Sequence, residues 1–491
     1  MESLWVDHRE AETAPAPAPA APAPPPPPVS PARAAPSAHA AHAAPAARRR
    51  LPARPRPRVV DALATLAGLG FGATLALGVG AESSGSLHAA GGGAPAAGRL
   101  AGLAAAYAMV VVVVLVARVP PLERAIGQDR LVAWHRRLGP WPLYLLTAHA
   151  VLITVGYAQA AHDGLLHQLG QLIWTYPGIL ASTVAFALLI AAGVSSYNKA
   201  RQRLAYETWW SVHLYTYLAL FLAFSHQVDT GASFVGHPAA RLWWTALWIG
   251  TLALVVACRV GLPLWRSLRH QVKVVGIHPE GPGTYSILLE GRRLDRLPVA
   301  GGQFLQWRFL RRGLWWQAHP YSLSAAPTGR HLRITVKELG DHSRALARLA
   351  PGTRVAIEGP YGAFTADARR GDRLLLVGAG VGITPIRALL QELPEDGVDV
   401  EVVLRASAPS ELVLADEVRA LAARRGGRVH ALAGPRARHP LDAAALARLV
   451  PDVAQRDVYL CGPDGFSAAV AAEARRAGVA ADRIHHESFS L

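Results

Sequence analysis

The chain has 491 residues, 51% hydrophobic and only 17% charged, with 50 Lys+Arg against 34 Asp+Glu for a formal net charge of +16. Charged residues this sparse, against about 25% in soluble domains, exclude a water-soluble enzyme throughout and place part of the chain in lipid. Two cysteines, Cys258 and Cys461, exclude a disulfide framework, a four-cysteine zinc site and a thiolate-held iron–sulfur cluster.

Residues 1–57 hold 15 of the 37 prolines and almost no branched apolar or aromatic side chains. Such a segment cannot bury enough surface to fold and is predicted to be a disordered Pro/Ala-rich tail. No apolar run follows a short basic start, so a signal peptide is not expected.

Six apolar stretches come next, near 59–80, 100–118, 137–159, 176–197, 207–227 and 241–262. Each approaches the roughly 20 residues that cross hydrocarbon as a helix. The loop before the third span carries Arg118, Arg124, Arg130, Arg136 and Arg137, and the loop before the fifth carries Lys199, Arg201 and Arg203. Arg259, Arg266 and Arg269 mark the exit from the sixth, while the loops between spans three and four and between five and six lack Lys and Arg until Arg241. The positive-inside rule then puts both termini in the cytoplasm and the chain, multi-pass, in the plasma membrane. Membrane lipid becomes the expected partner, and nucleic acid is not one.

After residue 270 the pattern changes to short β-rich runs punctuated by Gly and Pro, predicting an antiparallel β-barrel over 270–368. Strand-like runs at Leu374–Val377, Val400–Leu404, Arg428–Leu432 and Val458–Cys461 alternate with helical ones, predicting a parallel α/β domain over 371–491. The expected fold is thus a six-helix transmembrane bundle (58–265) followed by these two cytoplasmic domains.

Four histidines fall in or beside the spans: His135 and His149 on the third, His213 and His226 on the fifth. An ionisable side chain at membrane depth is costly and points to function, and neutral imidazole is a common haem ligand. Fourteen residues of helix rise about 21 Å and thirteen about 20 Å. With both helices running outward, His135 shares a level with His213 and His149 with His226, so two b-type haems could stack across the bilayer. Fourteen positions return to nearly the same helix face, whereas thirteen miss by about 140°. The fifth span is therefore expected to be tilted, kinked or rewound, or to present its ligands from different sides. Four interhelical hydrogen-bonding histidines are the plainer alternative.

This pattern resembles the ferric-reductase-like membrane domain of NADPH oxidases and ferric-chelate reductases, and the soluble half resembles the ferredoxin–NADP reductase superfamily. His319-Pro320-Tyr321-Ser322-Leu323-Ser324 is similar to that superfamily's flavin signature, with Tyr321 expected on the isoalloxazine and Ser322 near its reactive nitrogen. Gly340-Asp341-His342-Ser343 and Gly359-Pro360-Tyr361-Gly362 resemble the turns that wrap the flavin pyrophosphate, and the resemblance adds Lys337 to the FAD-binding set. Gly378-Ala379-Gly380-Val381-Gly382-Ile383-Thr384-Pro385 sits between an apolar strand and a helical run, the context a dinucleotide turn requires. Cys461-Gly462-Pro463 is similar to the segment beside the nicotinamide, and Glu487-Ser488-Phe489 to the terminal segment whose aromatic covers the flavin. Arg405 and Arg436 stand where relatives hold the 2′-phosphate of NADPH, a group that suits guanidinium forks.

The resemblance implies FAD, two b-type haems and NADPH (or NADH) as donor, with Ser322, Thr384, Cys461 and Phe489 around the reacting rings. It implies a transmembrane oxidoreductase serving an unidentified extracytoplasmic acceptor such as ferric iron or oxygen. Oxidases of this kind carry a further histidine one turn beyond the third-span outer ligand, where this chain has Ile153. A membrane-anchored flavin reductase serving a protein or quinone, and a six-span transporter or scaffold that senses nucleotide, are the alternatives.

Overall fold

The computed structural model describes residues 57–82, 87–88, 92–197, 203–204 and 206–488. The predicted tail up to residue 56, Lys199, Arg201 and Phe489 lie outside the described residues.

Nine helices among the described residues lead into the last transmembrane turn: α1 (Pro57–Gly80), α2 (Gly93–Leu115), α3 (Pro120–Ile126), α4 (Gln128–Leu138), α5 (Pro140–Ala161), α6 (Leu165–Thr175), α7 (Ile179–Ser196), α8 (Tyr206–Thr230) and α9 (Pro238–Val256). A five-residue π-turn, Ala257–Gly261, then joins α9 to α10 (Leu262–His270). Five helices among the described residues are long and apolar enough to cross a membrane: 59–80, 93–115, 130–161, 179–196 and 238–270. The fifth predicted span is present as α8, 25 residues long, but does not join this set. Its His213, His226, Gln227 and Asp229 dilute the apolar run. The last of the five is 33 residues long, about 50 Å of helix against a hydrocarbon layer of about 30 Å. Its end, α10, therefore reaches past the bilayer and delivers the chain to the first sheet.

That sheet belongs to a domain of two three-stranded antiparallel sheets. Their strands are β1 (Lys273–Gly281), β2 (Thr284–Glu290), β3 (Phe304–Phe309), β4 (His319–Ser322), β5 (His331–Lys337) and β6 (Val355–Tyr361), with α11 (Asp341–Leu346) between the last two. The orders are β1-β2-β5 and β4-β3-β6, and single bridges Lys273–Arg354 and Leu323–Ile334 join their edges. Period-two alternation sends Tyr285, Ile287 and Leu289, and Leu332, Ile334 and Val336, into one shared core with Trp307 and Ile357.

The remaining elements are β7 (Arg373–Ala379), α12 (Ile383–Glu392), β8 (Asp399–Ala406), α13 (Ala415–Ala423), β9 (Arg428–Ala433), α14 (Ala443–Leu449), β10 (Asp457–Gly462), α15 (Asp464–Arg476) and β11 (Ile484–Ser488). They form a five-stranded parallel sheet in the order β11-β10-β7-β8-β9. Leu374 and Leu376 face one apolar cluster and Leu375 and Val377 the other. Helices cover both faces, and that is why the strand reads as an unbroken apolar run. The sequence reading passed over two strands. β4 contains Pro320, tolerated because this strand is an edge, and β11 is a polar edge strand paired only with β10.

Candidate functional site

In the bundle, His135 lies on α4 and His149 on α5, two stretches of the one helix 130–161. They meet at Gly139, whose backbone stays helical (φ −52°, ψ −37°) while Pro140 and Pro142 withhold backbone donors. His213 and His226 share the uninterrupted α8. On an unbroken helix thirteen residues leave the two rings on different sides, one of the arrangements that the spacing allows. The His135 and His213 ring centres are 6.1 Å apart with planes at 75°, and His149 is an electrostatic neighbour of His226. Among the described residues no group of three or more His, Cys, Asp or Glu gathers around one point. The four histidines therefore act as pairs.

Each histidine meets a neighbouring helix through Nδ1. His135 Nδ1 donates to the Val112 carbonyl at 3.0 Å and His149 Nδ1 to the Gly98 carbonyl at 2.8 Å, both on α2. These two imidazoles therefore carry their proton on Nδ1 and keep the lone pair on Nε2, as second-shell partners arrange for metal-binding histidine. His226 Nδ1 lies 2.7 Å from Ser182 Oγ and His213 Nδ1 3.4 Å from Ser196 Oγ, both on α7. Each serine also reaches a carbonyl of its own helix, Ser182 that of Gly178 at 2.9 Å and Ser196 that of Ala192 at 2.6 Å, and Ser196 Oγ accepts from Trp209 Nε1 at 3.1 Å. Gly98 and Val112 are fourteen residues apart, and so are Ser182 and Ser196. Each bracing helix thus repeats its contact after about 21 Å on nearly the same face. Gly102 completes the packing, because a Cβ there would stand 2.7 Å from His149 Nδ1.

The membrane region meets the first soluble domain through Arg118, on the loop after α2. Its guanidinium lies 4.2 Å over the Tyr361 ring and 3.4 Å from Glu358. Arg266 on α10 donates to the Gly359 carbonyl, and Ser267 Oγ accepts from Ile357 N at 3.0 Å. A cavity of about 150 Å³ opens at this junction, lined by Arg118, Glu123, Cys258, Arg266, Glu358 and Tyr361 among others. Burial pushes the Glu123 carboxyl up to about 7, with Arg118 drawing it back and Glu358 adding to the rise. Glu123 sits among the arginines of a loop that was read for its positive charge alone.

Strand β4 presents His319, Pro320 and Tyr321, with Ser322 buried at its end. The His319 ring stacks on His342 of α11, centres 3.7 Å apart. Both His342 nitrogens are buried and find no partner. Burial, then His319, holds the His342 pKa down to about 4, so the ring is neutral at pH 7. Burial likewise pushes the Tyr321 phenol up. Ser343 Oγ accepts from the Leu339 and Gly340 amides at 2.9 and 3.1 Å, closing the turn before α11. Ser324 and Lys337 face the other way. Ser324 Oγ accepts from Arg333, which pairs with Glu417 of α13 at 2.9 Å, and Lys337 pairs with Glu411 at 3.2 Å.

The parallel sheet brings the other motifs together. Between β7 and β10 the strand order reverses direction, and ligands of such sheets bind outside the strand carboxyl ends at that point. Gly378 pairs in register with Cys461, and Cys461 with Glu487. A Cβ on Gly382 would stand 2.3 Å from the Cys461 carbonyl oxygen, so only glycine lets this turn close onto β10. Gly380 lies in the same turn, Thr384 Oγ1 donates to the Val381 carbonyl at 3.0 Å, and Pro385 follows in the first turn of α12. Gly462 and Pro463 lead from β10 into α15. Burial, then Glu487, keeps the Cys461 thiol well above its ordinary pKa. Gly362 meets the same edge: its Cβ direction ends 3.3 Å from the Glu487 carboxylate. Arg405 directs its guanidinium to backbone carbonyls, Leu432 at 3.1 Å and Gly434 at 2.6 Å, while Arg436 is exposed beyond β9.

Three family models match in chain order: a ferric reductase like transmembrane component over 101–224, an FAD-binding domain over 283–365 and an oxidoreductase NAD-binding domain over 376–472. The chain is similar to an NADPH oxidoreductase of Mycobacterium tuberculosis (strain ATCC 25618 / H37Rv), 29% identical over 47% of this chain and 62% of that protein. It is also similar to a flavohemoprotein of Chromobacterium violaceum, 34% identical over 46% of this chain and 60% of that protein. The chain thus spans about 60% of the length of these curated relatives. Among solved structures it resembles the flavohem-like FAD/NAD binding domain of nitric oxide dioxygenase from Vibrio cholerae O1 biovar El Tor. That likeness has 27% identity and a TM-score of 0.39, and covers 45% of this chain and 99% of that one.

Proposed function

Because the chain belongs to the ferric-reductase-like transmembrane superfamily and carries a ferredoxin–NADP reductase-type FAD/NAD(P) module, we propose that it moves reducing equivalents from cytoplasmic NAD(P)H across the plasma membrane to an extracytoplasmic acceptor. Six helices, α8 among them, form the crossing, with both termini inside.

The observation that carries this reading is the shared brace of the four bundle histidines, each of which meets a neighbouring helix through Nδ1 and leaves Nε2 out of that contact. An imidazole–metal–imidazole axis measures about 6 Å between ring centres, from two metal–nitrogen bonds of about 2 Å plus a ring radius of roughly 1 Å at each end. The 6.1 Å between His135 and His213 fits that axis. His135 and His213 would hold one b-type haem, and His149 and His226 the other. FAD would lie against β4 and α11, where His342 holds two buried nitrogens without partners. His319, Pro320, Tyr321, Ser322, Ser343, Gly359 and Gly362 would line that cleft, while Ser324 and Lys337 act through the ion pairs that join the two soluble domains.

When bound, FAD accepts a hydride and haem iron carries single electrons, so the chemistry belongs to the cofactors. The chain supplies position. Gly378, Gly380, Gly382, Thr384 and Pro385 form the nucleotide turn, and Gly462 and Pro463 close it from β10. Cys461, held as the neutral thiol, forms an apolar wall beside the nicotinamide and is no nucleophile. Arg405 fixes the ends of β8 and β9 so that Arg436 is presented to a 2′-phosphate, favouring NADPH. Phe489 would cover the flavin. At the place of the oxidases' extra histidine, Ile153 packs against Gly98, which favours an acceptor reduced at the surface, such as a ferric chelate.

In sealed vesicles with the soluble domains outward, added NADPH should reduce a ferric chelate trapped inside. Reduction of flavin alone, with the trapped acceptor untouched, would overturn the proposal.

A further inference from the structure

Among the described residues, four buried side-chain nitrogens have no hydrogen-bond partner: both of His342, Trp248 Nε1 and Arg259 Nε. A buried donor left unpaired costs about 1–3 kcal/mol, and such atoms call for an explanation. The His342 pair falls in the flavin cleft. The other two stand on the sixth long helix, which contributes none of the four histidines.

Trp248 and Arg259 are eleven residues apart, about three turns along the helix. Each has contacts near one of the two histidine pairs. The Trp248 ring packs on Phe224, centres 5.7 Å apart, and Phe224 precedes His226 by two residues. The Arg259 charge acts on the His135 ring and on Glu123. Arg259 also lies inside the π-turn Ala257–Gly261, and such turns, which rotate one side chain out of the regular face sequence, occur frequently at functional sites.

Two unpaired buried donors, each near one histidine pair, call for acceptors there. Porphyrin supplies them, since each b-type haem carries carboxylate side chains at its rim. We propose that the sixth long helix anchors both porphyrins by their carboxylates, Trp248 at the His149/His226 level and Arg259 at the His135/His213 level. This rests on the haem reading above. Arg259 has a second consequence: a fixed cation stabilises the reduced, more negative state of the nearer haem and raises its potential, whereas the neutral indole leaves the other haem without such a lift. The haem next to the flavin domain is thereby kept ready to accept electrons.

Spectroelectrochemical titration of the purified full-length protein, combined with haem transfer to excess apomyoglobin, tests the assignment. A His226→Leu variant identifies the wave of the His135/His213 haem. Arg259→Gln should move that wave to lower potential and speed release of that haem at least about tenfold, the value of one charge-assisted hydrogen bond, leaving the other wave in place. Arg259→Lys should restore most of the potential. Trp248→Phe, which keeps the ring contact with Phe224, should speed release of the other haem only. Unchanged potentials and release rates in all variants, or equal changes in both haems, would overturn the anchoring proposal while leaving two haems in place. A wild-type protein without haem would overturn the reading beneath it.

Discussion

The bundle and the soluble module declare their chemistry in opposite ways. In the bundle, the signal lies in side-chain identity. Four histidines stand on the helices of the membrane region, and each is braced by a carbonyl or a serine of a neighbouring helix. In the module, function is written in backbone permission, in glycines that let a turn approach a strand and in the strand order that gathers three turns at one edge. Lipid makes a polar side chain costly and therefore informative. In the aqueous domain polar side chains are common, and the informative position is one where a Cβ cannot fit.

The contrast can be broken most severely at the ligands. His149→Leu or His226→Leu should remove one of two haems and abolish reduction of a trapped acceptor, while stopped-flow bleaching of the flavin by NADPH stays at the wild-type rate. Loss of flavin reduction as well would show that the two regions are not separable.

Gly382→Ala tests the other side of the comparison. Its Cβ would overlap the Cys461 carbonyl, and overpacking of this kind costs about 1–3 kcal/mol. NADPH affinity, measured by isothermal titration, should fall about ten- to a hundredfold while the haem spectrum is unaltered. A variant that binds NADPH normally would remove the turn from the site.

Ser182→Ala asks how much a brace matters. Second-shell partners typically contribute ten- to a hundredfold in metal affinity, so haem retention at the His149/His226 level should drop by about that factor. Ser196→Ala should do less, because its contact with His213 is longer, 3.4 Å against 2.7 Å. Equal effects would mean that the hydroxyls do not brace the rings.

The smallest effect lies at the junction between the regions. Glu123 binds its proton more tightly in the folded chain, with its carboxyl raised to about 7. The stabilisation this confers is complete below its unfolded value near 4.5 and is lost as the pH rises through about 7. Melting in detergent should therefore fall by a few degrees between about pH 5 and pH 7 and level off above that, and Glu123→Gln should flatten that slope. A slope unchanged in the variant would assign it to other groups.

The sequence made the region order legible because each region has its own period: long apolar runs, then alternation, then apolar runs separated by helices. The histidines stood out because an imidazole on an apolar span is rare, and the fold places His135 beside His213 and His149 near His226. The two hydrogen bonds withheld beside Gly139 are marked in the sequence by Pro140 and Pro142, while the helix itself runs on through them. α8 was placed as a span for its length, and its polar residues keep it out of the apolar set. The braces at Ser182 and Ser196 were also passed over. Serines are common in helices, and their meaning lies in a fourteen-residue spacing that matches the third-span histidines. Lys337 enters the FAD-binding set through the resemblance and Arg405 the 2′-phosphate set for its guanidinium fork, and in the fold each already has a partner.

Haem content per chain, from the pyridine haemochrome and the electron paramagnetic resonance of one purified sample, bears most directly on the central claim. Two low-spin haems per chain, each with two imidazole ligands, are predicted, with one lost in His149→Leu. A preparation that holds flavin but no haem, or one whose haem survives replacement of all four histidines, would contradict it.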